Sequence, residues 1–174
     1  MVVAPARSLL LIMVAVVALV APGAFAAGAS GRERTVSTAG VSLQLPAGWQ
    51  TRISTTPACD PERLIVASST RTRIGPSGRL RSPPAGAVLV VLLEDRYRQD
   101  RPVGDLRWPR HFSVSWNHLA QIKPSCGLPA SPTYMHYVKT HGRYLGFIVY
   151  PGSAVDAKTR AATIALMDSL HVNP

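Results

Sequence analysis

Cysteine is nearly absent from these 174 residues: there are two, Cys59 in "PACDPE" and Cys126 in "PSCGLP". Neither sits in a C-x-x-C and no histidine falls within five positions of either, which leaves a zinc site or dithiol redox centre without support. In an oxidising compartment, two cysteines in Pro-flanked loops read as one disulfide. It would close a loop of 68 residues, worth about 4 kcal/mol on the chain-entropy account. Catalytic signatures are missing as well. There is no G-x-S-x-G, no H-E-x-x-H and no phosphate-cradling loop,. The five histidines, at 111, 118, 136, 141 and 171, show no ligand spacing on a common helix. No metal and no cofactor are therefore expected. Asp60/Glu62 and Glu94/Asp95 stand beside Arg63 and Arg96 and read as surface ion pairs,. No catalytic residue is assigned.

Long apolar runs are scarce too, and the first is at the N-terminus. Arg7 precedes thirteen apolar residues from Leu9 to Ala21, then Pro22-Gly23 and Ala24-Phe25-Ala26. Charge, short apolar stretch, helix breaker and A-x-A follow the order of a cleaved export signal. As a helix the run spans about 20 Å, short of the roughly 30 Å hydrocarbon core. An uncleaved N-terminal membrane anchor is the alternative. The reading is a signal peptide at 1–26, a disordered leader at 27–39 and a single domain at 40–174. Localisation is then extracellular or at the cell envelope.

From Gly40 the pattern changes. In "GVSLQLPAGW", Val41, Leu43 and Leu45 alternate with Ser42 and Gln44, a strand with one buried face,. Trp49 to Ile53 reads as a strand running back. "RLIVASS" (63–69) is a third strand, and "AVLVVLLEDRY" (87–97) a central one covered on both faces,. "HFSVSWNHLAQI" (111–122) is strand-like in its first half and helix-compatible in its second. His141-Gly142 is a two-residue turn between "TYMHYVKT" and "RYLGFIVYPG", a hairpin,. The last element is a helix with Ser153 as its cap and Asp156 completing an S-x-x-D box,. Ala161, Ala162, Ile164, Ala165, Leu166, Met167 and Leu170 form its apolar face,. The fold class is α+β: a curved, mostly antiparallel sheet of about six strands with the C-terminal helix packed on one face.

Arginine outnumbers lysine 16 to 3, and the formal net charge is +10. Four arginines, Arg71, Arg73, Arg79 and Arg81, crowd "RTRIGPSGRLRSPP", where Gly and Pro deny regular structure. They are the candidate anion-binding set, against the reading of a solvated loop. Interleaved aromatics, which a single-stranded nucleic-acid platform would use, are missing there. Nucleic acid is not an expected partner. The partner is unknown; an anionic cell-envelope surface or another envelope protein fits the charge. Trp108, Trp116, Tyr134 and His136 are a candidate aromatic pocket, against the reading that they fill the core.

Two segments carry a family resemblance. "GVSLQLPAGW" resembles the opening strand and turn of secreted PsbP-like domains. "GRYLGFIVYPGSAVDAKTRAATIALMDSLHV" is similar to the closing strand and helix of small exported proteins of high-GC Gram-positive bacteria, most of unknown function. There Gly142, Arg143, Val149 and Gly152 match, followed by Asp168, Ser169, Leu170 and Val172. The resemblance covers about a third of the chain and implies an antiparallel sheet with flanking helices in an accessory or binding module. It carries over no functional residue. The function expected is an exported, non-catalytic envelope or extracellular binding module. The alternative is a small-ligand binder or hydrolase that uses the aromatic pocket, with His136 or His111 as the working group.

Overall fold

The alternation at 41–45 becomes strand β2 (Val41–Leu45), in which Val41, Leu43 and Leu45 are buried while Gln44 is exposed. A computed structural model of the protein describes residues 32–53, 62–71, 79–95, 108–116, 120–121, 128–129 and 132–174. The signal segment, both cysteines and Arg73 lie outside the described residues. Among the described residues no helix is long and apolar enough to cross a membrane.

Residues 34–38, expected to belong to a disordered leader, form strand β1 (Arg34–Thr38) instead. β1 pairs antiparallel with β2 from Arg34↔Leu45 to Thr38↔Val41. Its side chains are mostly exposed, so it lacks the apolar alternation that marks a half-buried strand. What holds it is the ladder and the two-residue Ala39-Gly40 turn, both at positive φ,.

The remaining strands are β3 (Gln50–Ile53), β4 (Glu62–Ser68), β5 (Val88–Glu94), β6 (Ala120–Gln121), β7 (Pro132–Thr140), β8 (Arg143–Pro151) and β9 (His171–Val172). Helix α1 (Ala157–Asp168) lies between β8 and β9. They do not share the single curved sheet expected. β1, β2 and β9 make a small antiparallel sheet, while β3-β4-β5-β8-β7 make a second, with β6 added at its edge. β3 accordingly does not fold back on β2. The turn whose Trp49 N–H donates to the Pro46 carbonyl (3.1 Å) passes the chain from one sheet to the other, where β3 pairs with β4.

β5 and β8 are buried on both faces, as a continuous apolar run at the sheet centre requires. Val88, Val90 and Leu92 join Leu145, Phe147 and Val149 on one face, under Leu166 and Met167 of α1 and the inward residues of β2. Leu89, Val91 and Leu93 join Ile148 and Tyr150 on the other, where Leu80 and Leu128 contribute to the cover. The β7–β8 hairpin forms as read, with His141 at φ 48° and Gly142 at φ 74°. Two successive positive φ values fit the right-handed twist of the strands, and glycine reaches that region without Cβ strain.

The helix cap differs from the expectation. Asp156, not Ser153, is the N-cap, and its carboxylate accepts a hydrogen bond from Thr159 N–H at 2.6 Å. Ala154 sits at φ 55° and the Ser153 carbonyl is taken by Gly86 N–H (2.6 Å), so the chain cannot turn helical that early. Of the expected apolar face, Leu166, Met167 and Leu170 are buried and Ala161 and Ala165 are exposed. Past the helix, Ser169 Oγ accepts from Gln44 N–H (2.8 Å), and β9 closes on β2 through Val41↔Val172. The segment at 112–116 is no strand: Phe112 and Val114 alternate inward without a ladder. Phe112 N–H instead donates to the Asp168 carboxylate at 2.7 Å.

Candidate functional site

The arginine-rich segment leaves β4 at Ser68 and enters β5 at Val88, and its root is clamped. Ser68 Oγ and Ser69 N–H donate to the Val88 carbonyl (3.2 and 3.0 Å), and Val88 N–H donates to Ser69 Oγ (2.9 Å). The segment's end is stitched to the exit of β8. Gly86 N–H reaches the Ser153 carbonyl (2.6 Å), and Gly152 N–H reaches the Ala87 carbonyl (2.7 Å). A Cβ at Gly152 would overlap the Pro84 carbonyl oxygen. Glycine is required there by close approach of two backbones.

Between root and stitch opens a cleft of about 510 Å³, lined by Ser68, Thr70, Arg71, Arg81, Pro84 and Leu89 among others. Arg71 and Arg81, ten positions apart in sequence, thus share one wall system, and both are exposed. Neither forms an ion pair with a described residue, and among the described residues no carboxylate or imidazole lines the cleft. The Ser68 hydroxyl, which donates to Val88 and accepts from Thr70 N–H at 3.3 Å, is committed to holding the loop. The lining therefore offers two guanidinium forks and the Thr70 hydroxyl over an apolar floor at Leu89. That chemistry suits a phosphate, sulfate or carboxylate. Of the other expected anion ligands, Arg79 is exposed but does not line this cleft, and Arg73 lies outside the described residues.

Of the four residues of the expected aromatic pocket, Tyr134 and His136 come together. Tyr134 and His136, two apart on β7, stack nearly parallel at 6.3 Å, and Phe112 meets His136 edge-on at 5.4 Å. Phe112 in turn meets Phe147 at 5.2 Å, so this group packs as core. Burial holds the Tyr134 phenol above its ordinary pKa,. Trp108 is 40% exposed. His111, the other candidate working group, lies with Nδ1 3.3 Å from Asp168 Oδ2 and its side chain 75% exposed. The same carboxylate holds Phe112 N–H, which gives the pair a positioning role for the 111–112 segment. Among the described residues no group of three His, Cys, Asp or Glu side chains could hold a metal ion.

Trp116 lines a different hollow of about 390 Å³, with Gly152, Ser153, Val155 and Arg160. The Arg160 guanidinium lies over the Trp116 ring at 5.4 Å, and its Nε donates to the Val155 carbonyl at 3.0 Å. The sequence pattern did not point to Arg160. A signal existed: a cation in the first turn of α1 opposes the helix dipole, and the stacking and the Val155 bond account for it.

The C-terminal pattern residues have architectural roles. Gly142 makes the hairpin turn, Arg143 pairs with Glu94, Val149 is core and Gly152 meets Pro84. Asp168 and Ser169 receive Phe112 and Gln44 N–H, while Leu170 and Val172 are buried. Glu94, read beside Arg96 as a surface pair, thus has a cross-sheet guanidinium partner in Arg143. No family model, curated protein or solved structure matches the chain.

Proposed function

We propose that this chain is an exported, non-catalytic envelope module of PsbP-like type that binds anionic groups of an envelope partner through the Arg71–Arg81 cleft. One observation carries the reading: two arginines from either side of a Pro- and Gly-rich loop line the same cleft, with no carboxylate among its described lining residues. A loop that served only to be solvated has no need of a clamped root or a stitched end. The α+β fold with a C-terminal helix is compatible with a PsbP-like module, and export rests on the N-terminal pattern. A disulfide between Cys59 and Cys126 belongs to the same proposal. A hydrolase or small-ligand binder built on Trp108, Trp116, Tyr134 and His136 is not favoured: Tyr134 and His136 pack with Phe112 at the core, whereas Trp116 lines the hollow with Arg160.

The test is sedimentation of the purified protein with anionic and neutral liposomes and with cell-wall sacculi, at low and high salt. Binding to an anionic surface, weakened by salt and lost in Arg71→Ser/Arg81→Ser, is the expected result. Absence of binding at low salt, or binding indifferent to both substitutions, would sink the reading.

A further inference from the structure

The two arginine-bearing hollows lie back to back. Pro84 lines the first and Gly152 the second, and those two residues are in such close contact that no Cβ fits between them. Leu89, in the first hollow, belongs to one face of the large sheet; Val155, in the second, belongs to the core of the opposite face. The hollows therefore open on opposite faces at one end of the sheet, separated by the hydrogen-bonded Pro84–Ala87 and Gly152–Ser153 strips. Pro84 and Gly152, one in each lining, touch, so the path around that end crosses a single backbone contact.

Both linings have the same character. Among the described residues neither includes a carboxylate, and each presents arginine: Arg71 and Arg81 on one side, Arg160 on the other. With Nε spent on Val155 and its face on Trp116, Arg160 still has its two Nη groups. No described residue accepts from them. Asp156, the nearest acidic residue in sequence, is turned to Thr159 N–H and is absent from the lining.

We infer that the ligand is a linear polyanion that wraps the end of the sheet over the Pro84–Gly152 contact, placing anionic groups on Arg71 and Arg81 at one side and on Arg160 at the other. The inference rests on the anion-binding reading of the first cleft and adds a class to it: a flexible chain of repeated anionic groups, not a flat headgroup surface. A planar membrane reaches one hollow at a time, whereas a chain reaches both and gains effective concentration from the first contact.

The experiment is a titration of the purified full protein with linear polyphosphate at low salt, comparing tripolyphosphate with chains of about 25 phosphates. The long chain should bind at least ~100-fold more tightly than the short one. Arg160→Gln should abolish most of that gain, while Arg71→Ser/Arg81→Ser should weaken tripolyphosphate binding itself. Ser153→Asp, which puts a carboxylate at an exposed position of the second hollow without touching Arg160, should act like Arg160→Gln and guards against a folding defect in that variant. Arg52→Ser, an equal loss of charge on exposed β3, should keep the gain. If length brings no gain, or Arg52→Ser erases it as fully as Arg160→Gln, the wrapping chain is wrong and the first cleft stands. Selective binding to anionic vesicles with no gain from chain length would likewise overturn it in favour of a membrane surface. Tripolyphosphate binding insensitive to Arg71→Ser/Arg81→Ser would remove the cleft reading itself.

Discussion

Arg143 and Glu94 meet fork to fork: Nε donates to Oε1 at 2.8 Å and Nη2 to Oε2 at 2.7 Å. Their side chains are only 21% and 12% exposed. The hydrogen bonds to Glu94 hold the guanidinium firmly protonated. A half-buried bidentate pair is costly to break from one side, because the remaining charge keeps its desolvation penalty. Arg143→Met or Glu94→Leu alone should lower unfolding free energy by about 3 kcal/mol, and Arg143→Met/Glu94→Leu should lose less than the sum of the single changes. Urea denaturation of the four proteins measures this; strict additivity would count against coupling.

Gly152→Ala should be among the most damaging single-methyl changes in the chain. The added Cβ overlaps a backbone carbonyl, which has no rotamer to escape into. Overpacking of this kind costs about 3 kcal/mol. The same change should weaken anion binding, since the stitch frames the Arg71–Arg81 cleft. A melting temperature within a degree or two of the parent would show that the contact yields easily.

Acid should fray α1 from its start. Thr159 N–H holds the Asp156 carboxyl below its ordinary pKa. A depressed carboxyl contributes stability above the unfolded-state value and loses it as pH falls through the folded-state value. Asp156→Asn can still cap but cannot titrate. Melting curves followed by circular dichroism should therefore fall less steeply between neutral and acid pH in Asp156→Asn than in the parent. Parallel curves would show that the cap carries no pH dependence.

Alkali gives the opposite sign. With Tyr134 raised by burial, its contribution is present below the unfolded phenol's value and lost as pH rises through the folded one. Difference absorbance should show late phenol ionisation in the parent, and Tyr134→Phe should remove one equivalent from that late phase. If the late phase survives the substitution undiminished, it belongs to another tyrosine.

Short-range chemistry was legible in the sequence and long-range pairing was not. The run Val88–Leu93 announces a strand buried on both faces because every residue is apolar, and His141-Gly142 announces its turn because few other pairs tolerate two positive φ values. That β3 joins a different sheet from β2 depends on partners outside its own four residues, so no local pattern could show it. β1 was hidden because an exposed edge strand needs no apolar side; its β-branched Thr35, Val36 and Thr38 were the available hint. Phe112 and Val114 mimic a strand because an extended chain hung on Asp168 buries alternate residues as a ladder would. At the site, Arg71 and Arg81 were visible as charge, but their meeting in one cleft follows from the clamp at Ser68–Val88 and the stitch at Gly152.

β2 sits between β1, its immediate neighbour in the chain, and β9, which lies some 130 residues downstream. The hairpin at 34–45 pairs locally, whereas the other edge of β2 is closed only by His171 and Val172, which follow α1 in the chain. Closure of such distant contacts is slow. Closing the small sheet therefore carries the loop-closure cost of nearly the whole described chain, and until β9 pairs, β2 offers an open strand edge of the kind other chains can join,.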